Sequence, residues 1–461
     1  MLAGLVDGFV ELPEPPDVGD GAAEDGPLAW PGYGAARERA VARTGERESV
    51  LCGTGRVDGT RAVLIVFEFA FLGGSLGEHA GARIEAAHAC ARARHLPLVS
   101  LVASGGSRMQ EGMRALSQLQ RVARQTALTG AAGVPQISVA RHPTTGGGWA
   151  AVAAGADVCL ALGGAEVAFA GSRIRPAGTD PRAACTAEAQ LAAGHVDGVV
   201  PADGLRRALG RWLSLLSGPA AGRVAPPYAL GAAAPPQSGW AAVERARDAG
   251  RPRADAYLDA CFSFREEIGG DRCGGRDEQG VTCGFGRLPD GRTAAFAAQR
   301  GTAVRPAGLR TAARLVRLAD RLGFPVLTLV DTPGAAGDID AERAGTGPAV
   351  ADCFAAVVAC RTPVTTLVVG EGGSGGALAL AAPDRTWMTP DSYFSVLAPE
   401  AATAVLKRDP SLVRETAEQL RLRPQDVVEL GVARGIVGPP PGRAAVRRRG
   451  AGHPDGTPRG G

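Results

Sequence analysis

The sequence predicts an α/β protein made of two duplicated domains, and three observations carry that reading. One strand-to-glycine pattern occurs twice in constant register: His95–Ser107 reads HLPLVSLVASGGS and Gly323–Ala335 reads GFPVLTLVDTPGA. Pro97 pairs with Pro325, Leu101 with Leu329 and Gly106 with Gly334, all 228 positions apart. The same offset returns downstream, where Val134–Gly148 (VPQISVARHPTTGGG) falls on Thr362–Gly376 (TPVTTLVVGEGGSGG) and sets Gly147 on Gly375 and Gly148 on Gly376. Upstream, Cys52–Arg56 (CGTGR) recurs as Cys283–Arg287 (CGFGR). Two long copies mean a duplicated domain, not a solenoid of short repeats. Apolar strands alternate with helical stretches in each copy, which implies parallel pairing.

Size and composition agree. Two domains are natural for 461 residues, and each half is long enough to bury a core. The 45% hydrophobic and 21% charged content is that of a globular chain. A net charge of +3 gives no reason to expect nucleic acid. The nine cysteines form no Cys-x-x-Cys pair, which speaks against a structural zinc site, so no bound metal is expected. The opening MLAGLVDGFVELPEPP lacks a basic start and a long apolar run. No apolar stretch reaches the ~18 residues of a membrane span. A cytoplasmic protein without membrane contact is expected.

Along the chain, 1–47 reads as a mobile N-terminal segment because Glu11–Gly34 is acidic and Pro-rich. The first domain is 48–216. It holds strands at Ala62–Phe69, Leu98–Ala103 and Gln136–Ala140, and helices at Glu78–Arg94, Met109–Thr129 and from Trp149. Residues 217–238, dense in Pro and Ala, are the linker. The second domain, 239–437, repeats the order with strands at Pro325–Val330 and Thr365–Gly370 and ends in helices near Pro399–Lys407 and Ser411–Glu418. The tail, 438–461, carries Pro439–Pro441 and Arg447–Arg449 and is expected to be disordered.

What repeats is mostly strand ends running into glycines. Such a turn aims backbone N–H groups at one spot, and glycine lets a ligand come close to the chain. Two N–H groups on one oxygen make an oxyanion hole. Each half offers two donor sources: Gly105–Ser107 with Gly146–Gly148, and Pro333–Ala335 with Gly372–Ala377. One Gly-rich turn is ordinary geometry; four at one offset point to a site used twice. No GxxxxGK[ST] or clean GxGxxG is present, so nucleotide-triphosphate chemistry has no support. The six histidines show no metal-binding spacing, and no G-x-S-x-G elbow surrounds Ser107. His142 reads as a local turn residue. Asp331 and Glu371 sit at strand ends, where each either binds backbone N–H groups or acts as acid or base. Arg108 faces either a phosphate or a domain carboxylate. A site of backbone dipoles without an evident base suits chemistry in which the substrate or a carried cofactor removes the proton.

Longer strings carry a family resemblance. Phe71–Gly77 (FLGGSLG), Ala103–Gly112 (ASGGSRMQEG), Pro143–Gly147 (PTTGG) and Phe169–Arg173 (FAGSR) resemble the beta carboxyltransferase subunit of bacterial acetyl-CoA carboxylase. Trp240–Tyr257, Gly270–Arg272, Asp331–Ala335 (DTPGA) and Gly370–Ala377 (GEGGSGGA) resemble the alpha subunit. The chain is similar to a fusion of the two, beta half first, over roughly residues 48–438. The resemblance implies a crotonase-type ββα spiral in each half and transfer of CO2 from carboxybiotin, carried on a separate protein, to an acyl-CoA. It implies one oxyanion hole for the thioester enolate at Gly106, Ser107, Gly147 and Gly148, with Gly105, Arg108 and Gly146 at the CoA. It implies a second for the biotin oxygen at Gly334, Ala335, Gly375 and Gly376, with Gly372, Gly373 and Ala377 at biotin. It further implies a homo-oligomer whose site joins two subunits, a biotin carboxyl carrier protein and a biotin carboxylase. The chain departs from the pattern in lacking a four-cysteine zinc ribbon, and Gly81-Ala82-Arg83 stands where the family has Gly-Glu-Lys.

The reading is therefore the carboxyltransferase component of an acyl-CoA carboxylase that makes malonyl-CoA for fatty-acid biosynthesis or a secondary pathway. A malonyl-thioester decarboxylase on the same fold and a non-catalytic assembly subunit are the alternatives, with a ClpP-like protease more distant because no triad is visible.

Overall fold

The computed structural model describes residues 2–15, 25–176, 178, 180–220 and 222–441. The first half forms an eight-stranded sheet. Its strands are β1 (Asp7–Glu11), β2 (Val50–Val57), β3 (Thr60–Phe67), β4 (Leu98–Ser104), β5 (Gln136–Thr145), β6 (Val158–Leu162), β7 (Val167–Ala168) and β8 (Gly198–Val200). They lie in the order β1-β2-β3-β4-β5-β6-β8, with β7 beside the end of β5. The second half repeats this with β9 (Phe264–Ile268), β10 (Val281–Arg287), β11 (Thr293–Gln299), β12 (Val326–Thr332), β13 (Val364–Gly373), β14 (Thr386–Met388), β15 (Tyr393–Ser395) and β16 (Gly435–Ile436). Their order is β9-β10-β11-β12-β13-β14-β16, with β15 beside the end of β13. In both sheets the first three strands are antiparallel and the rest parallel. The sequence repeat is thus a repeat of topology.

The central strands β4 and β12 are buried at every position, which is why they read as continuous apolar runs. The helix Glu78–Arg94 forms over the expected residues. The helix expected from Met109 instead starts at Gly112, because a one-turn 3-10 segment, Met109–Glu111, precedes it.

The halves are not separable lobes. One apolar core runs from the first sheet (Leu64, Val99, Leu101, Val139) through the helix Leu205–Leu216 to the second half's Phe285 and the helix Pro306–Leu322. Partly buried ion pairs cross the same boundary. Asp197 pairs with Arg272 and with Arg314, and Arg321 pairs with Asp157. Burial alone raises the Asp197 carboxyl, but the two arginines overcome this and hold it at about 2.

Two segments differ from the expected organisation. The N-terminal segment read as mobile is anchored on both sides of 16–24, which lie outside the described residues. β1 pairs with β2, Glu14 pairs with Arg83, and Tyr33 is buried with its hydroxyl donating to Glu111 at 2.5 Å. Composition signals mobility, but the partners that hold the segment are distant in sequence. The linker is likewise strapped onto the second sheet. Pro219 accepts from Thr293 N–H, Val224 from Thr365 Oγ1, and Ala229 N–H donates to Gly438. Of the tail, 442–461 lie outside the described residues.

Candidate active site

Both glycine loops sit at the carboxyl ends of parallel strands. In the first half, Ser104 ends β4 and its hydroxyl accepts the Gly106 N–H at 3.1 Å. Gly106 has a φ of 105°, a conformation open to glycine. The Gly106 carbonyl accepts from Leu76 N–H, and Arg108 N–H donates to the Leu76 carbonyl. The Ser107 N–H lies between these bonds and has no acceptor among the described residues. The loop after β5 closes on it. A Cβ added to Gly146 would lie 3.2 Å from the Gly106 Cα, and one on Gly106 3.5 Å from the Gly147 nitrogen. Gly148 opens a π-helical turn, Gly148–Ala153, whose first N–H groups lack partners within the helix.

The second half repeats this bond for bond. The Thr332 hydroxyl accepts the Gly334 N–H at 3.1 Å, and Gly334 has a φ of 145°. The Gly334 carbonyl accepts from Val304 N–H, and Ala336 N–H donates to the Val304 carbonyl. Ala335 N–H is left over, as Ser107 N–H is. The turn Ser374–Leu378 follows β13. A Cβ on Gly376 would overlap the Ala335 nitrogen and lie 2.6 Å from the Gly334 carbonyl carbon. Each half therefore brings its two glycine loops into contact around one unpaired N–H.

The site residues expected from sequence divide by role. Gly147 approaches Gly106 beside Ser107, and Gly376 approaches Gly334 and Ala335, while Gly148, Gly375 and Ala377 lie in the turns that follow β5 and β13. Gly106 and Gly334 shape their turns, their own N–H groups being committed to Ser104 and Thr332. Gly105 donates its N–H to Gly73 and Gly146 donates to Phe169. Gly372 and Gly373 are buried strand residues, where a Cβ on Gly372 would meet the Tyr393 carbonyl at 2.6 Å.

Arg108, expected at the CoA, is 1% exposed and lies beneath the loop. It pairs with Glu48 and with Glu111 and donates to Tyr33 and Ser75. Burial pushes the Glu48 carboxyl up, but Arg108 overcomes this and holds it at about 2; burial also raises the Tyr33 hydroxyl to about 12. A cation enclosed by two carboxylates has no free edge for a phosphate, so Arg108 supports the loop. His142 is exposed, and its Nδ1 accepts from Glu166 N–H at 3.1 Å. Ala82 and Arg83 also serve the fold: Ala82 is buried in its helix and Arg83 donates to the Val50 carbonyl.

Beneath the second loop a different ionic cluster stands. Arg251 donates to Asp331 at 2.6 Å, and the Asp331 carboxylate also accepts the Glu371 N–H. Burial raises the Asp331 carboxyl, with Arg251 opposing. Glu371 accepts from Arg247 at 2.9 Å and from the Tyr393 hydroxyl at 2.8 Å. Asp331 and Glu371 thus hold backbone and neighbouring side chains at the ends of β12 and β13. Ser104 and Thr332 escaped the sequence reading, although a hydroxyl two residues before each repeated glycine is the signal that would have found them.

Comparison with known proteins follows the same division. Residues 31–199 match the carboxyl transferase domain family, and 236–451 match the acetyl co-enzyme A carboxylase carboxyltransferase-like family. A fused acetyl-coenzyme A carboxylase carboxyl transferase beta/alpha protein of Salinispora arenicola is 42% identical over 87% of this chain and 75% of its own length. Its counterpart from Saccharopolyspora erythraea is 38% identical over 88% of this chain and 74% of its own length. The chain belongs to the acyl-coenzyme A carboxyl transferase family.

This carboxyl transferase is also 34% identical, over 87% of its length and 82% of the relative's, to a probable biotin-dependent acyl-coenzyme A carboxylase beta3 subunit of Mycobacterium bovis. Among solved structures, transcarboxylase 12S superposes with a TM-score of 0.71 at 22% identity, over 85% of this chain and 79% of that one. A single-chain long-chain acyl-CoA carboxylase superposes with a TM-score of 0.73 at 20% identity, over 97% of this chain and 46% of that one. The carboxyl transferase thus has the crotonase-like fold of these enzymes in each half. Among its described residues no helix is long and apolar enough to cross a membrane.

Proposed function

We propose that this transferase is the carboxyltransferase component of a biotin-dependent acetyl-CoA carboxylase, moving a carboxyl group from carboxybiotin on a separate carrier protein to acetyl-CoA to give malonyl-CoA for fatty-acid biosynthesis. The observation that supports it is the pair of unpaired donors, Ser107 N–H and Ala335 N–H, each in the same bond pattern and each faced by a glycine-opened helical turn. Carboxyl transfer develops negative charge on two oxygens in one reaction, that of the acyl thioester and that of the biotin ureido group, and two sets of backbone donors match that demand. A decarboxylase needs only the first.

In this reading the first half binds the acyl-CoA. Ser107 N–H, with the turn opened by Gly147 and Gly148, stabilises the thioester oxygen as the α-carbon loses its proton and gains the carboxyl group. Ala335 N–H, with the turn opened by Gly375 and Gly376, holds the ureido oxygen. Biotin supplies the labile carboxyl group, and its ureido group accepts the α-proton. The chain's residues orient the two reactants, hold both oxygens and exclude water; none need act as a base. A biotin carboxylase reloads the carrier.

A second copy of the chain completes the site. Met113 (72% exposed), Phe169 and Ile174 stand bare near the first loop. By the second, Leu378, Val396 (76% exposed), Leu430 and Val432 border an apolar groove of about 340 Å³ that reaches Gly375. Apolar surface concentrated beside both loops suits an interface between copies.

The test is the reverse reaction: purified chain, malonyl-CoA and free biotin, following acetyl-CoA release. Biotin-dependent release is expected. Release without biotin would point to a decarboxylase, and no release, with malonyl-CoA still bound, would leave a non-catalytic subunit.

A further inference from the structure

Two backbone groups near the second loop are left over by the local geometry. β12 and β13 pair in register from Val326 to Val330, then slip, pairing Thr332 with Gly372, so Asp331 drops out of the ladder. On its other side the pairing of β11 with β12 stops at Leu329. Across the site, the short helix Ser374–Leu378 breaks before it can satisfy its own carbonyls. Leu380 N–H turns to the Ala377 carbonyl, and the Gly376 carbonyl is left without a helical donor. An N–H on one loop and a C=O on the other are therefore buried and in need of partners.

Gln299, the last residue of β11, supplies both. Its Oε1 accepts the Asp331 N–H at 3.3 Å and its Nε2 donates to the Gly376 carbonyl at 2.8 Å, with the side chain wholly buried. One planar amide thus spans the strand end that leads to Ala335 and the turn that carries Gly376. The first half ties its two strand ends together with other residues. There Thr145 Oγ1 donates to the Ser104 carbonyl at 3.1 Å and Thr144 Oγ1 to the Val102 carbonyl at 2.8 Å, tying β5 to β4. The corresponding residues of β13 are Gly372 and Gly373, which have no hydroxyl. In turn, the place of Gln299 is taken in β3 by Phe67, which has no polar atom.

We propose that Gln299 is a positioning residue for the second donor set, fixing the spacing between the Ala335 N–H and the first turn at Gly375 and Gly376. This rests on the carboxyl-transfer reading. Its effect is confined to the biotin side, since both of its hydrogen bonds lie in the second half.

The test uses the full chain in the biotin-dependent release of acetyl-CoA from malonyl-CoA, comparing wild type with Gln299→Met and Gln299→Glu. Met keeps the length and removes both bonds; Glu keeps the acceptor for Asp331 and loses the donor to Gly376. A misplaced donor predicts a fall in kcat of about 10²-fold in both variants, with KM for malonyl-CoA within about twofold of wild type. If Met does not fold, Glu decides. Wild-type kcat in a folded variant overturns the inference, as does a matched loss of kcat and malonyl-CoA binding. Failure of both variants to fold also overturns it, because the amide is then a requirement of the fold alone. If wild type itself shows no biotin-dependent release, the carboxyl-transfer reading fails and this inference falls with it.

Discussion

Below the first loop the cation Arg108 sits one residue past Ser107, locked between Glu48 and Glu111. Below the second, the matching position is Ala336, and the charge comes from the strand side, where Asp331 pairs with Arg251. The loops are alike bond for bond, while the charged groups beneath them stand at unmatched positions: Arg108 falls on Ala336 and Asp331 on Ala103. A duplicated fold keeps the backbone that faces the ligand and leaves the packing behind it free to diverge. Any side-chain set that satisfies the same buried backbone groups holds the same loop.

The contrast can be broken first at the glycines. Gly376→Ala would press a Cβ into the Gly334–Ala335 backbone, which cannot yield. Carboxyl transfer should fall by about 10²–10³-fold with malonyl-CoA binding intact, read by reverse-assay kcat and by calorimetry. Gly148→Ala meets the Ser104 Cβ at 2.5 Å, a less severe overlap than the 2.2 Å between a Cβ on Gly376 and the Ala335 nitrogen. Its loss should be smaller and should appear on the acyl-CoA side. Equal losses in both half-sites would break the comparison.

Removing the supports comes next. Arg108→Ala leaves Glu48 buried without its partner and should cost about 3–5 kcal/mol of stability, measured by urea unfolding. Arg251→Ala should cost less. Arg253 stands 3.6 Å from Asp331, and burial already favours the neutral acid there.

Acidification separates the same two carboxyls by sign. Glu48 is held below its ordinary value at about 2, so its contribution is complete above pH ~4.5 and disappears as pH falls toward 2. That is on the order of 3 kcal/mol. Asp331 is raised, so its contribution is complete below the ordinary carboxylate value and is lost as pH rises through its folded value. Glu48→Gln should therefore flatten the loss of stability below pH ~4.5. Asp331→Asn should remove a gain that wild type makes on acidification from neutrality. Identical pH profiles of the melting temperature would refute this.

The smallest effect lies at one matched position. Gly146 has a φ of 55° and Ser374 a φ of 52°. Ser374→Gly relieves a left-handed serine and should change stability by no more than about 1 kcal/mol, in the stabilising direction. Gly146→Ser should lower activity, because its Cβ would lie 3.2 Å from the Gly106 Cα.

By itself the sequence determined the duplication, the α/β class, the positions of β4, β5, β12 and β13, and the four glycine loops at their ends. These are local: apolar runs fix strands, and glycines mark where a chain must turn tightly or pass close to another. It also determined the family, because ASGGSRMQEG and GEGGSGGA are long enough to be specific. Only the tertiary structure decided which loop N–H groups are spent on internal hydrogen bonds. Gly106 and Gly334 were legible as loop residues, but that their own donors are spent on Ser104 and Thr332 depends on how each turn folds back. Arg108 could have met a phosphate or a carboxylate; Glu48, sixty positions away along the chain, settled it. The anchoring of the N-terminal segment by Arg83 and Glu111, the shared core between the halves and the bridge made by Gln299 have the same cause. Each joins groups far apart in sequence, and burial makes their pairing obligatory only once the two sheets have come together.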